Sequence, residues 1–231
     1  MNAVLILGSA PDALRARELD LSIFRVIAAL NNAWRIRSDW THCVYPEDFP
    51  AERRPDAQPG KTLVEYDQFV PANNAYGGVV YAGGTMAFTA GYWALDAFKP
   101  DLLAFLGCDM VYDAASDKTH FYGQGEADPL RKDPTLQSLE AKSSRLRWKA
   151  FEQNCLCANL SNKDVSRLTF DRLNEGLLTQ GIDDYLRAGL DRLAALADRN
   201  RIDAAMDLEQ RSGCYYDSGD YWNAPTPPDA S

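Results

Sequence analysis

The order of three segments between residues 79 and 109 constrains the fold more than anything else in this chain. Val79–Tyr81 is a short apolar run that leads into Gly83-Gly84-Thr85. Met86–Phe98 then carries apolar residues on nearly every side, the pattern of a buried helix, and Pro100 marks its end. Asp101–Leu106 follows as a continuously apolar run closed by Gly107-Cys108-Asp109, the pattern of a strand buried on both faces. Strand, buried helix and strand in this order imply a parallel sheet.

The amino terminus obeys the same grammar. Ala3–Leu7 is a short apolar run ended by Gly8-Ser9-Ala10-Pro11-Asp12, which reads as a buried strand, a tight loop and a helix entry. Arg25–Leu30, stopped by Asn31-Asn32, and His42–Tyr45, stopped by Pro46-Glu47-Asp48, are the next two strands. Residues 50–77 are rich in Pro, Gly, Asn and charge, so a long excursion is expected there with Thr62–Tyr66 as its only strand-like piece. Residues 110–134 are polar, with Gly123, Gly125, Pro129 and Pro134, and have the length of a lid. Thr135–Glu152 reads as a helix and Cys155–Ala158 as the last strand. Ile182, Tyr185, Leu186, Leu190, Leu193 and Ala197 share one face of a helix over about residues 181–198. The expected architecture is α/β, a Rossmann-like, mostly parallel sheet flanked by helices, with a lid and C-terminal helices. It forms a single domain over 1–211, including the lid at 110–134, and residues 212–231 form a flexible tail.

Composition narrows the partners. An apolar content of 46% supplies an ordinary core, while a formal charge of −9 argues against nucleic acid and anionic membrane, both of which need a cationic face. No apolar run approaches the roughly 18 residues of a membrane span, and the start lacks a basic signal-peptide region, so a soluble cytoplasmic protein is expected. A homo-oligomer is compatible with all of this. The five cysteines, Cys43, Cys108, Cys155, Cys157 and Cys214, read as reduced core thiols, since they lack metal-site spacing. With only His42 and His120 in the chain, a His-rich zinc site is excluded.

The candidate site residues cluster where strands end. Gly8, Ser9, Ala10 and Pro11 form either an anion-holding loop or a plain βα turn. Asn31 and Asn32 suit base, ribose or sugar hydroxyls, or cap the helix that follows. Gly83, Gly84 and Thr85 repeat the first loop's logic at the start of a buried helix. Asp109 can orient a hydroxyl, act as a base, bind a metal or merely cap its loop. His120, in Thr119-His120-Phe121-Tyr122-Gly123-Gln124-Gly125, is an acid/base candidate, whereas His42 inside an apolar strand reads as structural. Arg131, Lys132, Arg145, Arg147 and Lys149 present cations across the lid or, more simply, form a solvated helix face.

Taken in order, Gly-Ser-Ala-Pro after the first strand, Asn31 after the second, Gly-Gly-Thr opening a buried helix, Leu-Gly-Cys-Asp, His-Phe-Tyr-Gly and Cys-Leu-Cys-Ala-Asn resemble the bacterial α-2,3-sialyltransferases that use a CMP-sugar donor, and their relatives. The resemblance spans roughly residues 3 to 161 and rests on order and spacing. It implies a Rossmann-like domain of the GT-A variant type, with a lid over the nucleotide sugar. By it, Gly8, Ser9, Asn31, Gly83, Gly84 and Thr85 line the CMP site with Asn159 or Ser161 nearby, and Tyr112 and Tyr122 stabilise the departing phosphate. It implies no metal and no cofactor beyond the nucleotide-sugar substrate, because hydroxyl donors help the nucleoside monophosphate leave. The acceptor is not named by the sequence.

One departure bears on mechanism. The family's lid motif reads His-Tyr-x-Gly-His with the second His as general base, whereas this chain has His120-Phe121-Tyr122-Gly123-Gln124. An amide has no usable pKa, so the base is His120, an acid such as Asp109, Asp117 or Glu126, or the reaction differs. The expected function is transfer of a sugar, such as sialic acid or a related nonulosonate, from its nucleotide to an acceptor hydroxyl. Two other classes stay open. One is Mg²⁺-dependent phosphoryl transfer resembling the pterin diphosphokinases, with Asp109, Asp113 and Asp117 as ligands. The other is nucleotide binding without catalysis.

Overall fold

The computed structural model describes residues 1–82, 85–111, 119–123 and 138–212. Seven strands, β1 (Ala3–Leu7), β2 (Phe24–Leu30), β3 (His42–Val44), β4 (Thr62–Val64), β5 (Leu102–Leu106), β6 (Leu156–Asn159) and β7 (Asp171–Arg172), form one sheet in the order β4-β3-β2-β1-β5-β6-β7. Every pairing is parallel, as the order strand, buried helix, strand implied, although the strand ahead of the helix is β4 and not residues 79–81. The protein is therefore a doubly wound, Rossmann-like α/β fold. β1 and β5 lie side by side at the centre and all ten of their residues are fully buried. Each buried Leu or Ile side chain there contributes about 1.5–3 kcal/mol.

Helices α1 (Tyr66–Asn74), α2 (Met86–Phe98) and α3 (Leu139–Phe151) cover one face of the sheet through a cluster that includes Phe69, Phe88, Trp93, Phe105 and Leu146. The other face is covered by short 3-10 helices, Pro11–Arg17 and Asn31–Arg35 among them, and by α4 (Ile182–Leu196), around Leu5, Leu7, Ile27, Trp40 and Leu106. The second C-terminal helix, α5 (Arg199–Ser212), is tied down by Arg145 of α3, whose guanidinium donates to both carboxylate oxygens of Glu209 at 2.6 Å. Arg145 also donates to the Tyr92 hydroxyl at 2.7 Å and lies 4.0 Å over the Tyr81 ring. Burial opposes its charge, but Tyr92 and Glu209 hold its pKa above the ordinary value.

Four expectations are corrected. Val79–Ala82 is a 3-10 helix rather than a strand, and β4 precedes α2 in its place. Residues 66–74 of the excursion form α1 despite Pro71 inside it; the cost of about 3 kcal/mol is offset by burial of Phe69, Val70 and Ala72. Its Asn73 is fully buried and donates to Phe69 O at 2.7 Å and Thr89 O at 3.1 Å, which joins α1 to α2. β6 is not the last strand, because β7 pairs beside it. Arg145 belongs to no solvated face: its side chain is 8% exposed. The lid at 110–134 and the tail lie largely outside the described residues.

Candidate functional site

The strand order reverses between β1 and β5, and in open α/β sheets ligands sit in the crevice outside the carboxyl ends of the strands at that switch point. The two strand ends meet there through two glycines. Gly8 N–H donates to Leu106 O at 2.8 Å and Ala10 N–H to Gly107 O at 3.1 Å. A Cβ on Gly8 would collide with the Gly107 carbonyl oxygen and stand 2.6 Å from Cys108 Sγ. Gly107 has φ +72°, and a Cβ there would stand 2.5 Å from that of Ala13. The glycine at position 8 thus serves contact between two strand ends. With two of the loop's N–H groups committed to β5 and none on Pro11, the first loop keeps fewer donors for an anion than its sequence implied.

Beyond β5 lies the most heavily buried acid of the described residues. Asp109 is 1% exposed and its backbone carbonyl accepts from Arg167 N–H at 2.9 Å. Its Oδ1 accepts from Asn159 Nδ2 at 3.3 Å and lies 4.0 Å from Arg172 Nη1. Asn159, at the end of β6, is itself oriented: its Oδ1 accepts from Ser161 N–H at 2.9 Å, which turns Nδ2 toward Asp109 and toward Ser166 Oγ at 3.1 Å. Ser161 in turn accepts from Lys163 N–H at its Oγ and from Arg172 at its carbonyl. Asp109 Oδ2 is buried with no hydrogen-bond partner among the described residues.

The same holds on the other side of the switch point. Asn31 Oδ1 and Asn32 Oδ1 are buried without partners among the described residues just past β2, one strand from Gly8 and Ser9 in register. Asn31 caps nothing, since the 3-10 helix it opens has no side-chain cap, and it holds φ 50°. Met110 holds φ 53° directly after Asp109. A left-handed conformation is tolerable for Asn but strained for Met, and such strain gathers at ligand sites. Met110 Sδ accepts from Thr85 Oγ1 at 3.5 Å, which brings the start of α2 to the end of β5.

Residues 119–123, the described centre of the segment expected to be a lid, dock on the first loop. Phe121 N–H donates to Ser9 O at 2.9 Å, and His120 and Gly123 bridge each other's backbones. His120 is buried, its Nδ1 lies 2.9 Å from Thr119 Oγ1, and its ring stacks on that of Tyr122 at 5.0 Å. Burial lowers its pKa, so the imidazole is neutral near pH 7 as a base must be. His42 sits instead among Trp93 and Phe98, with Nδ1 2.9 Å from Thr41 Oγ1 and its pKa also lowered by burial.

Hydrogen bonds, pairing and close approach thus join Ser9, Gly8, Asp109, Asn159, Ser161, Thr85, His120 and Tyr122, and register sets Asn31 beside them. Gly83, Gly84 and Tyr112 lie outside the described residues, as do Asp113, Asp117, Gln124, Glu126, Arg131, Lys132 and Cys214. The other four cysteines are buried free thiols; burial pushes Cys43 up to about 12 and raises Cys108, Cys155 and Cys157, so none is a ready nucleophile. Sequence reasoning missed Arg172, Ser166 and the fully buried Lys142 in the first turn of α3. Arg172 gave no signal because β7 is two residues long. A separate concavity of about 430 Å³ opens between α3, α4 and α5 beside Trp148, Phe151 and Leu196, and holds none of the strand-end groups.

Fold and site together define a doubly wound α/β protein with buried polar groups gathered at the switch point. Comparison with known proteins gave no matching family model, no matching curated protein and no matching solved structure.

Proposed function

We propose that this protein binds a nucleotide-activated sugar across the carboxyl ends of β2, β1, β5 and β6 and transfers the sugar to an acceptor hydroxyl. The observation that carries the reading is that, of the buried side-chain oxygens without a hydrogen-bond partner among the described residues, Asn31 Oδ1, Asn32 Oδ1 and Asp109 Oδ2 stand directly after strand ends on both sides of the switch point. Leaving such groups unmatched costs about 1–3 kcal/mol each, and a ligand rich in O–H and N–H donors recovers it. Three strand spacings separate β2 from β6, about 14 Å, a span suited to an extended ligand rather than a single small ion.

In the reaction, the acceptor oxygen attacks the anomeric carbon while the bond from that carbon to the phosphate oxygen breaks. The nucleotide leaves with the bonding electron pair, and the acceptor's proton passes to His120. Tyr122, 38% exposed and with its ring stacked on that of His120, is the tyrosine assigned to the departing phosphate. A CMP-sugar such as CMP-sialic acid is the donor to try first. The test is release of CMP from CMP-sialic acid in the presence of a panel of acceptor glycans without metal. Acceptor-dependent release supports transfer. CMP binding without release makes this a nucleotide-binding protein without catalysis, and turnover only of ATP with Mg²⁺ replaces the reading with phosphoryl transfer.

A further inference from the structure

From Asp109 we infer a sugar-hydroxyl reader: its Oδ2 takes the O–H of a saturated sugar ring in the bound ligand, so that this carboxylate sets specificity for hydroxylated over deoxy ligands. The inference rests on the nucleotide-sugar reading above and goes further by assigning one oxygen atom to one chemical group.

The geometry separates the two oxygens of this carboxylate. Among the described residues, every partner of this carboxylate falls on Oδ1: the Asn159 amide at 3.3 Å and the Arg172 guanidinium at 4.0 Å. Asn159 is fixed in that role by its bonds with Ser161 N–H and Ser166 Oγ, so the amide that meets Oδ1 of Asp109 is itself oriented. Oδ2 is left with no hydrogen-bond partner although the residue is 1% exposed. An ionised carboxylate is an acceptor only, so whatever completes it must be a donor or a cation.

The placement of the acid argues for a hydroxyl. In dinucleotide-binding sheets of this topology, the ribose hydroxyls are held by an acid at the end of the second strand, about 20 residues beyond the glycine loop. Here that place is taken by the neutral pair Asn31 and Asn32, and the acid stands instead across the switch point, at the end of β5. The hydroxyl contact has the same chemistry on the opposite side of the crevice. Its source is either the ribose or the transferred sugar, and the arms of the experiment separate them.

The experiment compares wild type with Asp109→Asn, an isosteric change that keeps an acceptor for Asn159 and removes the second carboxylate oxygen. Dissociation constants are measured for CMP, 2′-deoxy-CMP, 3′-deoxy-CMP and CMP-sialic acid, and the melting temperature of each free protein serves as the fold control. Wild type should bind one deoxy form about 10–100-fold more weakly than CMP if the ribose is read, or bind CMP-sialic acid more tightly than CMP by a similar factor if the transferred sugar is read. D109N should erase that difference while melting no lower than wild type. If D109N does not fold, Asp109→Glu carries the same comparison, because it keeps the charge and displaces the oxygen. Unchanged discrimination in a folded variant overturns the inference and leaves nucleotide binding standing. Stabilisation of wild type, but not of D109N, by millimolar Mg²⁺ alone overturns it in favour of a cation. Absence of binding by all four nucleotides removes the nucleotide reading and this inference with it.

Discussion

Gly8 and Gly107 touch: the carbonyl of Gly107 occupies the space that any side chain at position 8 would need, and Cys108 Sγ closes it from the other side at 2.6 Å. The obstacle is backbone, which cannot swing away as a flexible side chain would. Gly8→Ala should therefore lower stability by about 1–3 kcal/mol through overpacking at the centre of the sheet. Urea denaturation of the variant checks this, and an unchanged midpoint would mean that β1 and β5 part easily at their ends.

Arg145 supplies a second stability test. Its guanidinium holds α3 to Tyr92 of α2 and to Glu209 of α5 from a position 8% exposed, whereas Glu209 is 20% exposed. Breaking a buried pair costs about 3–5 kcal/mol, and the partial exposure of Glu209 places Arg145→Met near the lower end, about 3 kcal/mol. Limited proteolysis of the variant should release α5 first. Wild-type stability in Arg145→Met would show that α5 docks without the ion pair.

How far all this was legible varies by element. β1, β2, β5 and α2 could be read because the centre of a parallel sheet demands unbroken apolar runs, and the chain has few places to hide them. α1 could not, since Pro71, Asn73 and Asn74 read as loop until one sees that the Asn73 amide nitrogen donates to carbonyls of α1 and α2. β7 is too short for any pattern. In the candidate site, Asn31 and Asp109 stood out as polar residues directly after apolar runs, a pattern that a cap would also produce, whereas Asn159 and Ser161 were singled out only through the family resemblance. The purpose of Gly8 was not, because its partner lies on a strand distant in sequence, and neither was Arg172.

The pH dependence of stability follows from the two histidines. Burial lowers the pKa of both His42 and His120 from the ordinary 6.5. The unfolded chain then takes up protons first as pH falls, so stability is whole above 6.5 and declines below it, through the folded-state values. Asp39, held low chiefly by its hydrogen bond from Arg37, adds its own loss only below its ordinary 3.8. Urea midpoints should be lower at about pH 5.5 than at about pH 7.5, and the gap should shrink in the double variant H42N/H120N. Equal midpoints in wild type would contradict the lowered values.

For catalysis the prediction concerns His120 alone. If it accepts the acceptor's proton, His120→Ala should reduce turnover of a CMP-sugar about 10²–10⁴-fold while leaving the affinity for CMP nearly unchanged. Steady-state kinetics beside equilibrium binding separates the two effects. Near wild-type turnover would return His120 to a structural role, as a ring stacked on Tyr122 at the dock with Ser9, and would make Asp109 the base to examine.

The central claim is that the strand-end crevice of this sheet holds a nucleotide, and thermal unfolding with CMP in the presence of a chelator measures it most directly. At about 100 times its dissociation constant CMP should stabilise the folded protein by roughly 2.7 kcal/mol, seen as a clear rise in melting temperature that is lost in Asn31→Ala. A melting temperature indifferent to CMP, CDP and UDP, or one that moves only with ATP and Mg²⁺, would contradict the account.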